Sequence, residues 1–180
     1  MRGKKKALLS AFLVLMLAMS MSTAVFARVT ISLKKTTMAT GIQQRIYTYG
    51  SGRTVNYTSM NGSVLGLRKD SSSVILVPKK AGTTNLIVRT GSIRKRFRIK
   101  VLSDKQIANR VVKRIRAKYR SAGSSEYYRR GKALYVWVYK PQGDGAPNML
   151  VKVNLQTGRA VCGSGWSEFF SRVSKSFVVF

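Results

Sequence analysis

The stretch Ile93-Arg94-Lys95-Arg96-Phe97-Arg98-Ile99-Lys100-Val101-Leu102 alternates in character. In an extended chain, successive side chains point to opposite faces. Phe97, Ile99 and Val101 then share one face, and Arg94, Arg96, Arg98 and Lys100 share the other. A helix would scatter both sets around its circumference. The segment predicts a strand over Ile93–Val101, apolar toward a core and wholly basic outward. Directly after it, Ser103-Asp104-Lys105-Gln106 has the form of a capping box, Ser at the N-cap and Gln at N3. Ile107, Val111 and Ile115 recur at helical spacing, with Ala108, Val112 and Tyr119 beside them. They predict an amphipathic helix from about 104 to 120, stopped before Gly123. The fold therefore changes kind at Leu102-Ser103.

Upstream of that boundary the hydrophobic period is two. Strand-like runs lie at Val29–Leu33, Arg45–Tyr49, Val55–Thr58, Ser73–Val77 and Asn85–Thr90, punctuated by Gly41, Gly50-Ser51-Gly52, Asn61-Gly62, Pro78–Gly82 and Gly91. Short strands at this spacing predict a small β-sandwich over residues 28–102. Downstream, Ala133–Tyr139 and Met149–Leu155 alternate again, and Gln156-Thr157-Gly158 turns into Arg159–Cys162. Leu134, Val136 and Val138 face one way and Tyr135, Trp137 and Tyr139 the other, and one of the two faces packs under the helix. A short helix from Trp166 and a last strand at Ser176–Phe180 complete the expectation. The fold class is mainly β: a sandwich, then a small α+β unit over residues 103–180 with one helix on an antiparallel sheet.

The first 27 residues read as a targeting segment. Arg2, Lys4, Lys5 and Lys6 precede an uncharged run from Ala7 to Ala27, which ends at Val25-Phe26-Ala27. Positive start, apolar middle and small-residue exit are the parts of a secretory signal peptide. Retention as a membrane anchor is the other reading, since the run is long enough to span a bilayer; Ser10, Ser20, Ser22 and Thr23 make its distal half polar. No later apolar run is long enough, so no integral span is expected after cleavage. Both readings export the rest of the chain.

The whole chain has 34 Lys and Arg against 5 Asp and Glu, and no His. Cleavage after Ala27 leaves 30 basic and 5 acidic residues, a net charge of +25. Both parts are basic: 15 to 1 over residues 28–102, and 15 to 4 over residues 103–180. Charge so evenly spread does not describe a solvated tail. Its self-repulsion points to an anionic partner, an envelope polymer or extracellular polyanion. The absence of histidine removes imidazole bases, His-assisted nucleophiles and imidazole metal sites. The one cysteine, Cys162, removes an intrachain disulfide framework and any CxxC site. Cys162 is either a small buried hydrophobe, a reactive thiol or a link to another chain. The five acids fall at no paired spacing, and no phosphate-cradling glycine loop occurs. Neither an enzyme nor a bound cofactor or metal is expected.

Two resemblances rest on local motifs. Thr30-Ile31-Ser32-Leu33 leads to Met38-x-x-Gly41. Then come Tyr57-Thr58-Ser59-Met60-Asn61, Ser63-Val64-Leu65, and Val77-Pro78-Lys79-Lys80-Ala81-Gly82-Thr83-Thr84 before the last strand. This pattern resembles the bacterial immunoglobulin-like domain, group 2, over residues 29–102, with Tyr57 where Trp is more usual. The N-terminal domain of pilus-assembly secretins shares a similar Gly-Thr-Thr turn. Both resemblances imply an extracytoplasmic spacer or binding module. Val151-Lys152-Val153-Asn154 followed by Thr157-Gly158 is similar to PepSY-type, cystatin-like units of exported bacterial proteins.

Two surfaces are candidates for function. Arg94, Arg96, Arg98 and Lys100 lie roughly 6.5–7 Å apart along their strand, close to the phosphate spacing of an extended polyanion. A solvated face that discourages edge pairing is the competing account. Tyr135, Trp137 and Tyr139 form a row suited to stacking on sugar rings or bases, or to core or cross-strand packing. The expected function is a secreted, non-enzymatic cell-surface module whose basic face engages anionic polymers. The alternatives are a glycan- or small-molecule-binding protein using the aromatic face, and an accessory or inhibitor domain with a protein partner in an exported peptidase or pilus-type assembly.

Overall fold

The sandwich is organised by a hairpin. The computed structural model describes residues 33, 35–47, 54–70, 73–118, 120, 122–123, 125–139, 149–163 and 176–180. Strand β6 (Gly82–Thr90) pairs antiparallel with β7 (Ile93–Leu102) along its whole length, from Thr90 opposite Ile93 to Gly82 opposite Val101. Gly91, between them, has φ 55°, a left-handed conformation that favours glycine. The sheet is completed by β1 (Thr37–Ala39), parallel to β7, and β3 (Val55–Ser59), antiparallel to β6, in the order β1-β7-β6-β3. A second sheet has β5 (Ser73–Pro78) between β2 (Gln44–Tyr47) and β4 (Leu65–Asp70). Met38, Leu86, Val88, Ile99 and Val101 of the first sheet share one buried cluster with Leu65, Val74 and Leu76 of the second. The expected sandwich is formed.

At Leu102 the chain passes directly from β7 into helix α1 (Asp104–Arg116). The capping box is complete. Gln106 N–H donates to Ser103 Oγ at 3.2 Å, and Ser103 N–H donates to Gln106 Oε1 at 3.1 Å. These bonds satisfy donors that a helix start otherwise leaves orphaned. The helix is shorter than the sequence suggested. Arg116 Nε donates to the Ala122 carbonyl at 2.6 Å, and Gly123 N–H to the Tyr139 carbonyl, so the chain turns back toward the sheet there.

The third sheet is antiparallel throughout, β12-β11-β10-β9-β8. Its strands are β8 (Ser125–Arg130), β9 (Ala133–Val138), β10 (Met149–Asn154), β11 (Arg159–Cys162) and β12 (Ser176–Val178). Ile107, Val111 and Ile115 of α1 cluster with Leu134, Val136, Val151, Val153 and Phe177 on one face of it. Ala39, Ile42 and Leu102 join this cluster. The segments that build the sandwich thus also contribute to the helix–sheet core. Truncating a fully buried residue such as Leu134 to alanine costs about 2–5 kcal/mol.

Three strands add to the expected set. β1 is three residues long, and its pairing is with a strand far along the chain. β4 and β8 are edge strands in their sheets with several charged residues. None of the three has a clean apolar alternation. The targeting segment, the strand residues 29–32, the loop 141–148 and the helix expected from Trp166 lie outside the described residues.

Cys162 is 9% exposed and belongs to the helix–sheet cluster. Burial pushes its thiol up to about 11, from 9.0. The thiolate is the reactive form, and a shift of about two units makes it roughly 100-fold scarcer at pH 8. Alkylation by iodoacetamide at pH 8 is therefore expected to be at least about 100-fold slower in the folded protein than in urea, as read by mass spectrometry. Equal rates would place the thiol at the surface.

Candidate polyanion interface

The inner residues of β7 fix where four of its five basic residues go. Ile99 and Val101 are at 0% and 1% exposure in the sandwich core. Arg94, Arg96, Arg98 and Lys100, one residue out of phase, are all exposed. Directly opposite residues of adjacent strands share a face. Register therefore places Arg89 beside Arg94, Ile87 beside Arg96, Asn85 beside Arg98 and Thr83 beside Lys100. Asn56 and Thr58 follow on β3, and Thr37 lies beside Lys100 on β1. The outer face thus presents five cations among Asn and Thr, with no carboxylate at any of these positions. Ile87, opposite Arg96, is only 8% exposed.

Arg89 extends the row beyond the four cations expected from alternation. The two residues between Thr90 and Ile93 fix the hairpin register, so the signal for Arg89 was present in the short turn at Gly91. Among the described residues, no ion pair or hydrogen bond engages the side chains of Arg89, Arg94, Arg96, Arg98 or Lys100. The carboxylates of known placement are used elsewhere. Asp104 Oδ1 is 3.5 Å from Arg129 Nη1, and Glu126 Oε2 accepts from the Tyr139 hydroxyl at 3.0 Å.

The magnitudes favour a standing positive surface over internal neutralisation. Two unit charges about 7 Å apart repel by only about 0.6 kcal/mol in a water-like dielectric, further screened over a Debye length of about 8–10 Å. Cross-strand pairing withstands that repulsion, and the field remains. Along β7 the four side chains span about 20 Å. One extended anionic chain lying on the strand would meet all four in turn.

Alternation puts the three aromatics on one face, and the structure places that face of the third sheet opposite α1. Its surroundings are more specific. Tyr128 of β8 stacks on Tyr135 with centroids 4.8 Å apart and planes 6° apart. That separation equals the spacing of neighbouring strands, so the rings stand upright, side by side. Lys152 Nζ lies 5.8 Å from the Tyr135 centroid, within cation–π range. Tyr135 therefore has an internal stacking partner and an ammonium beside it. Trp137, half-buried, lies between Glu126 of β8 and Leu150 of β10. Partial burial, then the hydrogen bond and negative charge of Glu126, hold the Tyr139 phenol above its ordinary range. The structure brings Tyr135, Trp137 and Tyr139 onto one face, where all three are partly buried.

No protein-family model matches the chain, and no curated protein matches it. Among solved structures, domains 5–6 of the S-layer protein SbsC are similar at a TM-score of 0.35 and 13% identity, covering 62% of this chain and 61% of that one. A longer SbsC crystal structure gives a TM-score of 0.35 at 12% identity, covering 77% of this chain and 22% of that one. SbsC domains 1–6 give 0.33 at 12%, covering 80% and 24%. The chain spans about three-fifths of the first of these structures and less than a quarter of the other two.

A double-mutant cycle reads the tyrosine stack. Tyr128→Ala, Tyr135→Ala and the pair together, measured by urea unfolding, are expected to show a coupling of about 0.5–1.5 kcal/mol. Strict additivity would mean that Tyr135 has no energetic partner in the sheet.

Proposed function

We propose that this protein is an exported, non-catalytic module of the cell surface that holds anionic polymers on the outer face of its four-stranded sheet. One observation carries the reading: Arg89, Arg94, Arg96, Arg98 and Lys100 converge on one rigid sheet face with no opposing carboxylate among its described positions. The recognition is electrostatic. Cations on the face displace the counterions condensed on the polymer, so binding weakens steeply as salt rises and depends little on the polymer's sequence. Teichoic acids, extracellular DNA and other phosphodiester chains share the required chemistry. Export rests on the signal-like N-terminus, and the non-catalytic reading on the lack of any histidine or paired carboxylates.

The sandwich is further read as a bacterial immunoglobulin-like domain, group 2. Two facing sheets and the Lys80-Ala81-Gly82-Thr83 crossing into β6 support that reading. Such a domain acts here as a stiff platform. β7 is paired with β6 from Ile93 to Val101 and joined by β1 only at Lys100–Leu102, so its cations are presented in the register that β6 sets and lose little backbone freedom on binding.

Binding of a single-stranded oligothymidylate, measured by fluorescence anisotropy across a salt series, tests the reading. A variant carrying Arg94→Gln, Arg96→Gln and Arg98→Gln should lower the slope of log affinity against log salt by about 2. A control carrying Lys80→Gln, Lys105→Gln and Lys118→Gln, all exposed and none on the strands of that sheet, should change it much less. Equal losses would assign binding to net charge alone, and circular dichroism confirms that both variants fold.

A further inference from the structure

Apart from the basic sheet face, a half-enclosed cleft of about 260 Å³ lies where the β1–β2 segment meets the turn after β10. Its polar wall includes Lys35, Gln43, Arg45 and Gln156, and its apolar wall includes Ile42 and Leu155. Among the described residues, no carboxylate side chain lines it. We propose that this cleft is a second binding site, selective for a hydroxylated anion of about one sugar ring, such as a uronic acid or a sugar phosphate.

The wall is arranged to donate. Lys35 Nζ donates to the Gln156 carbonyl at 3.1 Å and sits 5.6 Å from the centre of the Phe180 ring. An ammonium has three donors, so one contact fixes Lys35 while the other two remain for a ligand. Gln43 Oε1 accepts from Arg68 at 3.4 Å. Its amide oxygen is thereby engaged, and the NH₂ end is left as a donor. Burial lowers the Lys35 pKa, the mark of an ammonium partly removed from water, and a bound anion would offset that cost.

Size and lining narrow the class. Sites for drug-sized ligands run from about 300 to 1,000 Å³, so this cleft suits something smaller. Ile42 and Leu155, both buried in the helix–sheet core, close the cleft behind its polar residues. The cations select an anion, and the carboxamides suit hydroxyl groups. A long polymer is not required, so this site operates whether or not the sheet face binds one.

The test uses the full chain and three probes: glucuronate, glucose 6-phosphate and neutral glucose. Two-dimensional amide NMR is recorded during each titration at constant ionic strength. At least one anionic probe is expected to saturate, moving amides of residues 35–45 and Gln156, at least 10-fold more tightly than glucose. Glucuronate alone would mark a carboxylate site, and glucose 6-phosphate alone a phosphate site. Lys35→Gln should weaken binding at least 10-fold. Gln43→Glu, at an exposed rim position, should do the same by placing a carboxylate against the ligand without touching either core. The Arg94, Arg96 and Arg98 triple variant should leave this binding unchanged, which separates the site from the sheet face. No saturation with either anion up to 20 mM, equal binding of glucose, or indifference to both cleft variants would overturn the proposal.

Discussion

The period of two along β7 is the constraint on which the rest depends. Phe97, Ile99 and Val101 have to face the second sheet to close the sandwich core. That requirement leaves Arg94, Arg96, Arg98 and Lys100 no place but the outer face. A slip of one residue would bury four cations and expose the apolar set, which no rearrangement of neighbours could offset. The same strand ends at Leu102, which enters the second core, and Ser103 caps the helix that builds it. Core formation, display of charge and the join between sandwich and helix–sheet unit are therefore consequences of one register.

Charge is distributed by a related logic. Repulsion between exposed cations about 7 Å apart is a fraction of a kcal/mol per pair in water, whereas each large apolar side chain withdrawn from water contributes about 1.5–3 kcal/mol. The fold can carry a strong positive surface so long as the cations stay solvated. Both carboxylates of known placement are engaged near the helix–sheet unit: Asp104 with Arg129, which also donates to the Thr40 carbonyl at 2.8 Å, and Glu126 with Tyr139. The sheet face of β7 has no such neighbour. The polyanion proposed as its partner would complete it.

What was legible in the sequence follows from where the information resides. Alternation exposed β7, β9 and β10, because each buries one face and solvates or half-buries the other. The capping box and the four-residue recurrence from Ile107 to Ile115 announced α1. β4 was not legible because its alternation is limited to Leu65 and Leu67 before Arg68-Lys69-Asp70, and β8, rich in Arg and Tyr, has no apolar stripe to betray it. β1 is too short to signal, and its parallel pairing with β7 is a tertiary fact. The Tyr128–Tyr135 stack was hidden for the same reason: without β8 there is no strand on which Tyr128 could stand beside Tyr135. Arg89 was recoverable from the turn length. The cleft around Lys35 was not, because Gln156 reaches it only through the packing of distant segments.

On the proposed reading, one ordered row rather than diffuse charge meets the polymer. Residue-resolved NMR of the arginine Nε–Hε groups during titration with an oligothymidylate addresses it most directly. The account predicts that Arg89, Arg94, Arg96 and Arg98 shift together along one saturation curve, while Arg110, Arg114 and Arg116 of α1 shift little. Shifts of similar size at every exposed arginine would contradict it and reduce the row to a solvated face.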